Sequence, residues 1–238
     1  MSKEQEEIAI ESLVKQTKLS PQNVFKIIQD LNEELTGFME IEKNLIIIPK
    51  KSKMNLVKKA ISLGVSLDQI ISMLHWKEFE NFCFIVLDHH EFFCIQNYYF
   101  THHKKRYEID VIGIKKPLIF AIDAKKWKTG RASALKTMVK NQIRRVKAFS
   151  KSTMKRSVRD KLNLTNWQNA KIIPMIVTSK MYEIKIFEHV PILPFFKLNK
   201  FLNEYHRYSE MILQFPVNLS AQKTLHTKKV RTVNKKLV

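Results

Sequence analysis

The sequence predicts an α/β protein, a central mixed sheet flanked by helices, preceded by a small domain of helices and a hairpin. Three observations carry that expectation. From residue 76 onward, apolar runs of strand character surround one long stretch of helical period. The first 50 residues show two amphipathic helical patterns and a hairpin pattern, and differ from the rest in charge. A hydrophobic fraction of 45% with only 4 Gly and 7 Pro in 238 residues suits a folded chain. It excludes collagen-like, low-complexity and disordered classes.

Taken in order, residues 4–17 read as a helix with apolar positions at Ile8, Leu13 and Val14, and LSPQ then breaks the pattern. Ser20 reads as an N-cap with Pro21 at the first helical position. The second helix carries Val24, Phe25, Ile28, Leu31 and Leu35, and FMEIEKNLIIIP supplies two short apolar runs around Glu42, Lys43 and Asn44. Helix, tight turn, helix and hairpin is the order of a winged helix-turn-helix, which residues 1–50 resemble in organisation. The second helix offers only Gln22 and Asn23 near its start for base reading, so DNA reading and packing remain alternative roles for this unit.

Residues 51–75 read as a linker of two short helices joined at Gly64, with Ser66 capping the second. An α/β core is expected over 76–215. It comprises a helix at 76–89, strands at 92–100, 106–113 and 118–125, a basic helix at 132–150 and a strand at 172–178, followed by a strand, a loop and a short helix within 184–202. A basic tail over 216–238 ends the chain.

The 42 Lys+Arg against 22 Asp+Glu give a formal charge of +20, unevenly spread. Residues 1–50 carry 6 basic and 9 acidic side chains, whereas 125–161 carry 14 basic residues and the single acid Asp160. A basic stripe of that density reads as a polyphosphate footprint, with a solvated helix face as the plain alternative. Cys83 and Cys94 cannot build a disulfide framework, so a reducing compartment is the default. Acidic residues occupy the start, MSKEQEEIAIES, where a secretory signal would be basic and then apolar. The apolar runs fall short of the roughly 20 residues of a membrane span. A cytoplasmic protein without a membrane partner is expected.

The segment YEIDVIGIKKPLIFAIDAKKW is the most informative. It reads as a hairpin in which Ile109 and Val111 share one face and Asp110 takes the other, while Asp123 and Lys125, two apart, share a face. A turn centred between Lys116 and Pro117 sets Asp110 directly opposite Asp123, with Cβ atoms about 4.5 to 5.5 Å apart. Like charges so placed need a compensating cation, and a hard divalent ion such as Mg²⁺ suits them. Glu80 on the preceding helix lies among Trp76, Cys83 and Phe84 and is a third carboxylate, with Glu78 the competing candidate. On the basic helix Gln142 interrupts the stripe of Leu135, Met138, Val139, Val146 and Phe149, so its amide needs a hydrogen-bond partner such as another site group or a substrate phosphate.

At these residues the chain resembles the PD-(D/E)xK nuclease superfamily, in the branch of archaeal Holliday junction resolvases and methylation-dependent restriction endonucleases. Glu80 in WKEFENFCFIVLD matches the family's helical glutamate, Asp110 its aspartate, Asp123 with Lys125 the (D/E)xK pair, and Gln142 a glutamine on the following helix. Glu91 stands where relatives usually carry glycine, and Asp123 replaces the commoner Glu. The resemblance implies a restriction-endonuclease-like core and Mg²⁺-dependent phosphodiester hydrolysis, with Mn²⁺ able to substitute. Glu80, Asp110 and Asp123 would hold the metal and Lys125 would orient the attacking water. The surrounding cations Lys126, Lys128, Arg131, Lys136, Lys140, Arg144 and Arg145 would grip flanking phosphates of DNA, RNA not being excluded. With about six contacts, log affinity should fall against log salt with a slope near −5. A homodimer would suit cutting of both strands. The rival expectation is a non-catalytic DNA-binding regulator built on the same basic platform.

Other conspicuous residues have plainer readings. His89–His90 and His102–His103 are sequence neighbours that point apart and suit structural or surface roles. Tyr98, Tyr99 and Phe100 alternate as core residues do, Cys83 reads as a buried small hydrophobe, and Trp127 would either flank the nucleic acid or pack under its loop.

Overall fold

The structure, a computed structural model, describes residues 5–37, 39–42, 44–49, 52–126, 132–182 and 185–220. The chain divides into two compact units, residues 1–70 and 71–238.

In the first unit, strand β1 (Gln5–Ala9) leads directly into helix α1 (Ile10–Thr17), and helix α2 (Pro21–Glu34) is followed by β2 (Glu40–Glu42) and β3 (Leu45–Pro49). The expected helix over 4–17 is therefore half strand. Its first half pairs antiparallel with β3, Ile8 opposite Ile46, because β2 covers only one edge of β3 and leaves the other to be paired. Ser20 caps α2 as expected, its Oγ accepting from Asn23 N–H at 3.2 Å with Pro21 behind it. Ile10, Val24, Ile28, Met39, Ile46 and Ile48 form the buried core. Helix α3 (Lys53–Ser62) follows, and α4 (Leu67–Met73) spans the boundary.

The second unit is α/β with helices against a mixed seven-stranded sheet. Helix α5 (Trp76–His89) precedes β4 (Phe93–His102), β5 (Lys105–Lys115) and β6 (Leu118–Lys125). Helix α6 (Ala132–Ser152), a short α7 (Arg156–Lys161) and β7 (Asn169–Thr178) come next. Strands β8 (Ile186–Phe187) and β9 (Val190–Pro194), a 3-10 turn, α8 (Leu198–Asn203), α9 (Tyr205–Tyr208) and β10 (Phe215–Asn218) complete the unit. The order is β4-β5-β6-β7-β9-β8, with β10 also on β7. β4, β5 and β6 are antiparallel neighbours. β7 lies parallel to β6, a pairing that needs the long crossover through α6. β7 is buried over nearly its whole length, as a strand flanked on both edges requires.

Phe149 and Val146 of α6 pack on Tyr98, Phe100, Ile109, Ile112, Ile114 and Ile119. α5 packs against β4, β5 and β6. Its approach to β5 is close enough to require glycine: a Cβ at Gly113 would stand 2.9 Å from Leu87 Cδ2, and Leu87 is itself fully buried. Besides β1, three further elements were not expected: α7 and α9, only 6 and 4 residues long, and β10, which draws residues 216–218 of the expected basic tail onto β7 with Val217 and Leu219 buried.

Candidate active site

Asp110 sits where the sheet is locally broken. The β5–β6 ladder follows the expected register, Ile112 opposite Ala121 and Val111 opposite Ile122, and stops one step before Asp110 and Asp123. The β4–β5 ladder pairs Gln96 with Val111 and Tyr98 with Ile109, passing over Asn97 and Asp110, and Asn97 takes a left-handed φ of 49°. Asparagine tolerates that conformation better than most residues. The alternation of β5 slips at this point: Ile109 joins the core of Ile112 and Ile114, not the face of Val111 as the sequence suggested. In place of a ladder bond, Ala124 N–H donates to Asp110 Oδ2 at 2.9 Å. The two acids therefore do not face each other as a regular cross-strand pair.

They are nonetheless brought together with the lysine. Lys125 Nζ lies 3.0 Å from Asp123 Oδ1 and 3.5 Å from Asp110 Oδ2, so one cation bridges both carboxylates. The Asp123 side chain is only 2% exposed, and a carboxylate so buried must be paired. Arg145 supplies the second partner, its Nη1 donating to the same Oδ1 at 2.7 Å. Gln142, fully buried, donates from Nε2 to the Ala121 carbonyl at 2.8 Å and accepts at Oε1 from Arg145 Nη1 at 2.7 Å. Its amide thus finds the partner the sequence demanded in a backbone carbonyl and a neighbouring arginine. Ser179 N–H donates to the Lys125 carbonyl at 3.0 Å, fixing the end of β6 against the exit of β7.

Burial pushes the Glu80 carboxyl up to about 7, with the Asp110 charge adding to the effect and Lys125 opposing it. Glu80 is only 5% exposed and projects from α5 into the field of Asp110 and Lys125. Glu78 instead accepts from His75 N–H at 2.7 Å as part of the N-terminal cap of α5. Asp110 is held above the ordinary carboxylate range by burial and by Asp123. Burial alone would lower Lys125; the charges of Asp123 and Asp110 outweigh it and hold the ammonium above its usual range.

Asp123, Lys125 and Arg145 open onto a cleft of about 450 Å³ whose far wall is the start of α6. That wall is formed by Ser133, Thr137 and Asn141, uncharged side chains four residues apart that sequence reasoning did not single out. Their spacing along one helix flank was the available signal.

Several expected phosphate contacts are engaged elsewhere. Arg145 faces Asp123 because it lies three residues from Gln142, on the inward side of α6. Lys126 Nζ donates to the carbonyls of Ser72 and Leu74. Lys136 Nζ stands 5.6 Å from the centre of the Phe187 ring, and Lys140 Nζ lies 4.0 Å from Glu188 Oε1. These two lysines and Arg144, which donates to Asn141 Oδ1, remain exposed on α6. Lys128, Arg131 and Trp127 lie outside the described residues, as does the tail from 221 onward. Tyr98 and Phe100 are core residues, whereas Tyr99 is exposed, with Arg106 stacked 4.5 Å over its ring. Burial raises the Cys83 thiol far above its ordinary range, which leaves no reactive thiolate there.

The donors suit a hard divalent ion in kind, all being carboxylate oxygens, and two of them already share a single cation. In the present arrangement, among the described residues, no three Asp, Glu, His or Cys side chains stand together as an enclosing set. Among those residues, no helix is long and apolar enough to cross a membrane.

No known family profile matches the chain. An uncharacterised protein of Archaeoglobus fulgidus is 27% identical over 137 residues, 57% of this chain and 95% of that protein. Two solved structures are also similar. AF1548, a protein of unknown function, is 14% identical with a TM-score of 0.27, over 42% of this chain. VC1899 from Vibrio cholerae is 12% identical with a TM-score of 0.35, over 87%. The chain spans 46% of the length of each of these two structures, and the scores are too low to carry a fold assignment.

Proposed function

We propose that the protein is a metal-dependent endonuclease of the PD-(D/E)xK kind that hydrolyses phosphodiester bonds of DNA, with a winged-helix-like unit in residues 1–50. One observation carries the reading: Lys125 Nζ lies within 3.5 Å of both Asp110 and Asp123, and Lys125 and Asp123 line an open cleft. A lysine two residues after an acid and bridging a second acid is the arrangement that the sequence resemblance implies.

Asp110 and Asp123, with Glu80 beside them, would hold Mg²⁺ or Mn²⁺, which when bound supplies charge neutralisation at the phosphoryl oxygens and a more acidic water. Lys125, kept protonated by its two acids, would orient the attacking water and steady charge developing on the phosphate. Gln142 ties α6 to the Ala121 carbonyl of the catalytic strand and so keeps the helix wall of the cleft at a fixed distance from Asp123. Ser133, Thr137 and Asn141 would contact the nucleotide lying in the cleft through hydrogen bonds.

A second reading is favoured by the ion pairing itself. With Asp123 satisfied by Lys125 and Arg145, the cluster also suits a purely structural role in a DNA-binding regulator. Plasmid, single-stranded and branched DNA incubated with Mg²⁺ or Mn²⁺ separates the two. The nuclease should nick or cut at least one substrate, and Asp110→Asn and Lys125→Ala should lower the rate by at least about 10²-fold while retaining binding. Wild-type protein that binds DNA and cuts none of them would leave the regulator.

A further inference from the structure

We propose that Arg145 is a resident counter-ion for the candidate catalytic acids, holding Asp123 while no divalent ion is bound and giving up its oxygen when one arrives. The inference rests on the metal-dependent nuclease reading above and deepens it by assigning the residue that gates ion entry.

The argument is one of charge balance in a buried place. Asp110 and Asp123 contribute two negative charges, and Lys125 and Arg145 contribute two positive ones, so the pairs are already neutralised. Both cations converge on a single oxygen, Asp123 Oδ1, at 3.0 and 2.7 Å. A divalent ion entering such a site adds two positive charges against at most one further carboxylate, Glu80, and in a low-dielectric environment that excess favours withdrawal of a resident cation.

Geometry decides which one. Lys125 stands on β6 opposite Thr178 of β7, contacts both acids, and has its backbone carbonyl fixed by Ser179. Arg145 contacts only one of the two acids. Both cations line the cleft and are partly exposed, 24% for Arg145 and 33% for Lys125, so a path to solvent is open to either and the number of acids held makes the choice. The other partner of Arg145, the Gln142 amide, is neutral but fully buried, so a water entering from the cleft must replace the guanidinium at Oε1. After withdrawal the guanidinium would occupy the cleft in which the phosphodiester is proposed to lie, where its planar fork suits phosphate oxygens.

The test is Mn²⁺ binding by isothermal titration calorimetry, without DNA, to the full chain as wild type, Arg145→Gln, Arg145→Lys and Asp123→Asn. Removing the competitor should tighten Mn²⁺ binding about tenfold in Arg145→Gln, the scale of one charge-assisted hydrogen bond. Arg145→Lys, which keeps the charge but shortens the reach and is the arm to read if the glutamine variant does not fold, should tighten it about threefold. Asp123→Asn should abolish it. In metal-free buffer Arg145→Gln should melt below wild type, and saturating Mn²⁺ should raise its midpoint by more than it raises that of wild type. Wild-type binding with equal or weaker affinity in both arginine variants would overturn the counter-ion role while sparing the metal site. Absence of Mn²⁺ binding in every protein would remove the metal reading and this inference with it.

Discussion

Glu80 is the residue whose chemistry is most displaced by its surroundings. A carboxyl raised from 4.5 to about 7 favours the protonated form in the folded state, mainly because burial penalises the charge. The sign follows from linkage: its contribution to stability is fully present below about pH 4.5 and is lost as pH rises through about 7. In metal-free buffer, thermal melts of wild type should therefore decline between pH 4.5 and 7 more steeply than those of Glu80→Gln; parallel curves would show that Glu80 is not buried as described. Neighbouring residues show how far such detail was readable. The D-x-K spacing placed Asp123 and Lys125 on one face of β6, and their contact at 3.0 Å agrees. The second hold on Asp123, Arg145, was assigned to phosphate, because helical spacing alone put it beside Gln142 at the margin between buried and exposed faces.

At the scale of elements, α5 matters because it carries Glu80 to the sheet. Its end follows a Schellman pattern, with Phe92 N–H donating to Leu87 O at 3.1 Å and Glu91 N–H to Asp88 O at 2.8 Å. Glu91 consequently has a left-handed φ of 61°, which accounts physically for the glycine expected there from the family resemblance. Its ion pair with Lys115 at 3.0 Å is solvent-exposed and offsets little of that strain. Replacing it with the unstrained residue, Glu91→Gly, should raise the thermal midpoint by about 2 to 4 °C in differential scanning calorimetry, and a fall would mean that the Lys115 pair outweighs the backbone term. The expected bounds of α5 and β6 coincide with the observed ones, and the expected β5 is short by three residues over its two ends, since strong periodicity and a clear turn define all three. Residues 4–17 went wrong for the opposite reason. Five residues ahead of a helix have little local preference, and the open edge of β3 decided their conformation.

For the whole molecule the dominant quantity is the charge of +20. In the metal-free arrangement Arg145 and Lys126 are engaged away from phosphate, with Asp123 and with the carbonyls of Ser72 and Leu74. If metal-free DNA binding uses the five remaining cations, Lys128, Arg131, Lys136, Lys140 and Arg144, the slope of log affinity against log salt should be about −4.5, at about 0.9 per phosphate neutralised. Fluorescence anisotropy from 50 to about 200 mM salt measures it, and a slope of −5 or steeper would mean that other basic residues take part.

The sequence by itself determined which residues could do chemistry and on which elements they ride, because strand alternation, helical spacing and capping are local rules that each segment obeys on its own. Tertiary structure alone decided how those residues are satisfied. The break in the ladders at Asp110, the turning of Arg145 onto Asp123 and the upward shift of the Glu80 carboxyl follow from burial beside particular partners far apart in the chain. The free energy of a buried charge depends on its nearest neighbours in space, a quantity that no local pattern encodes.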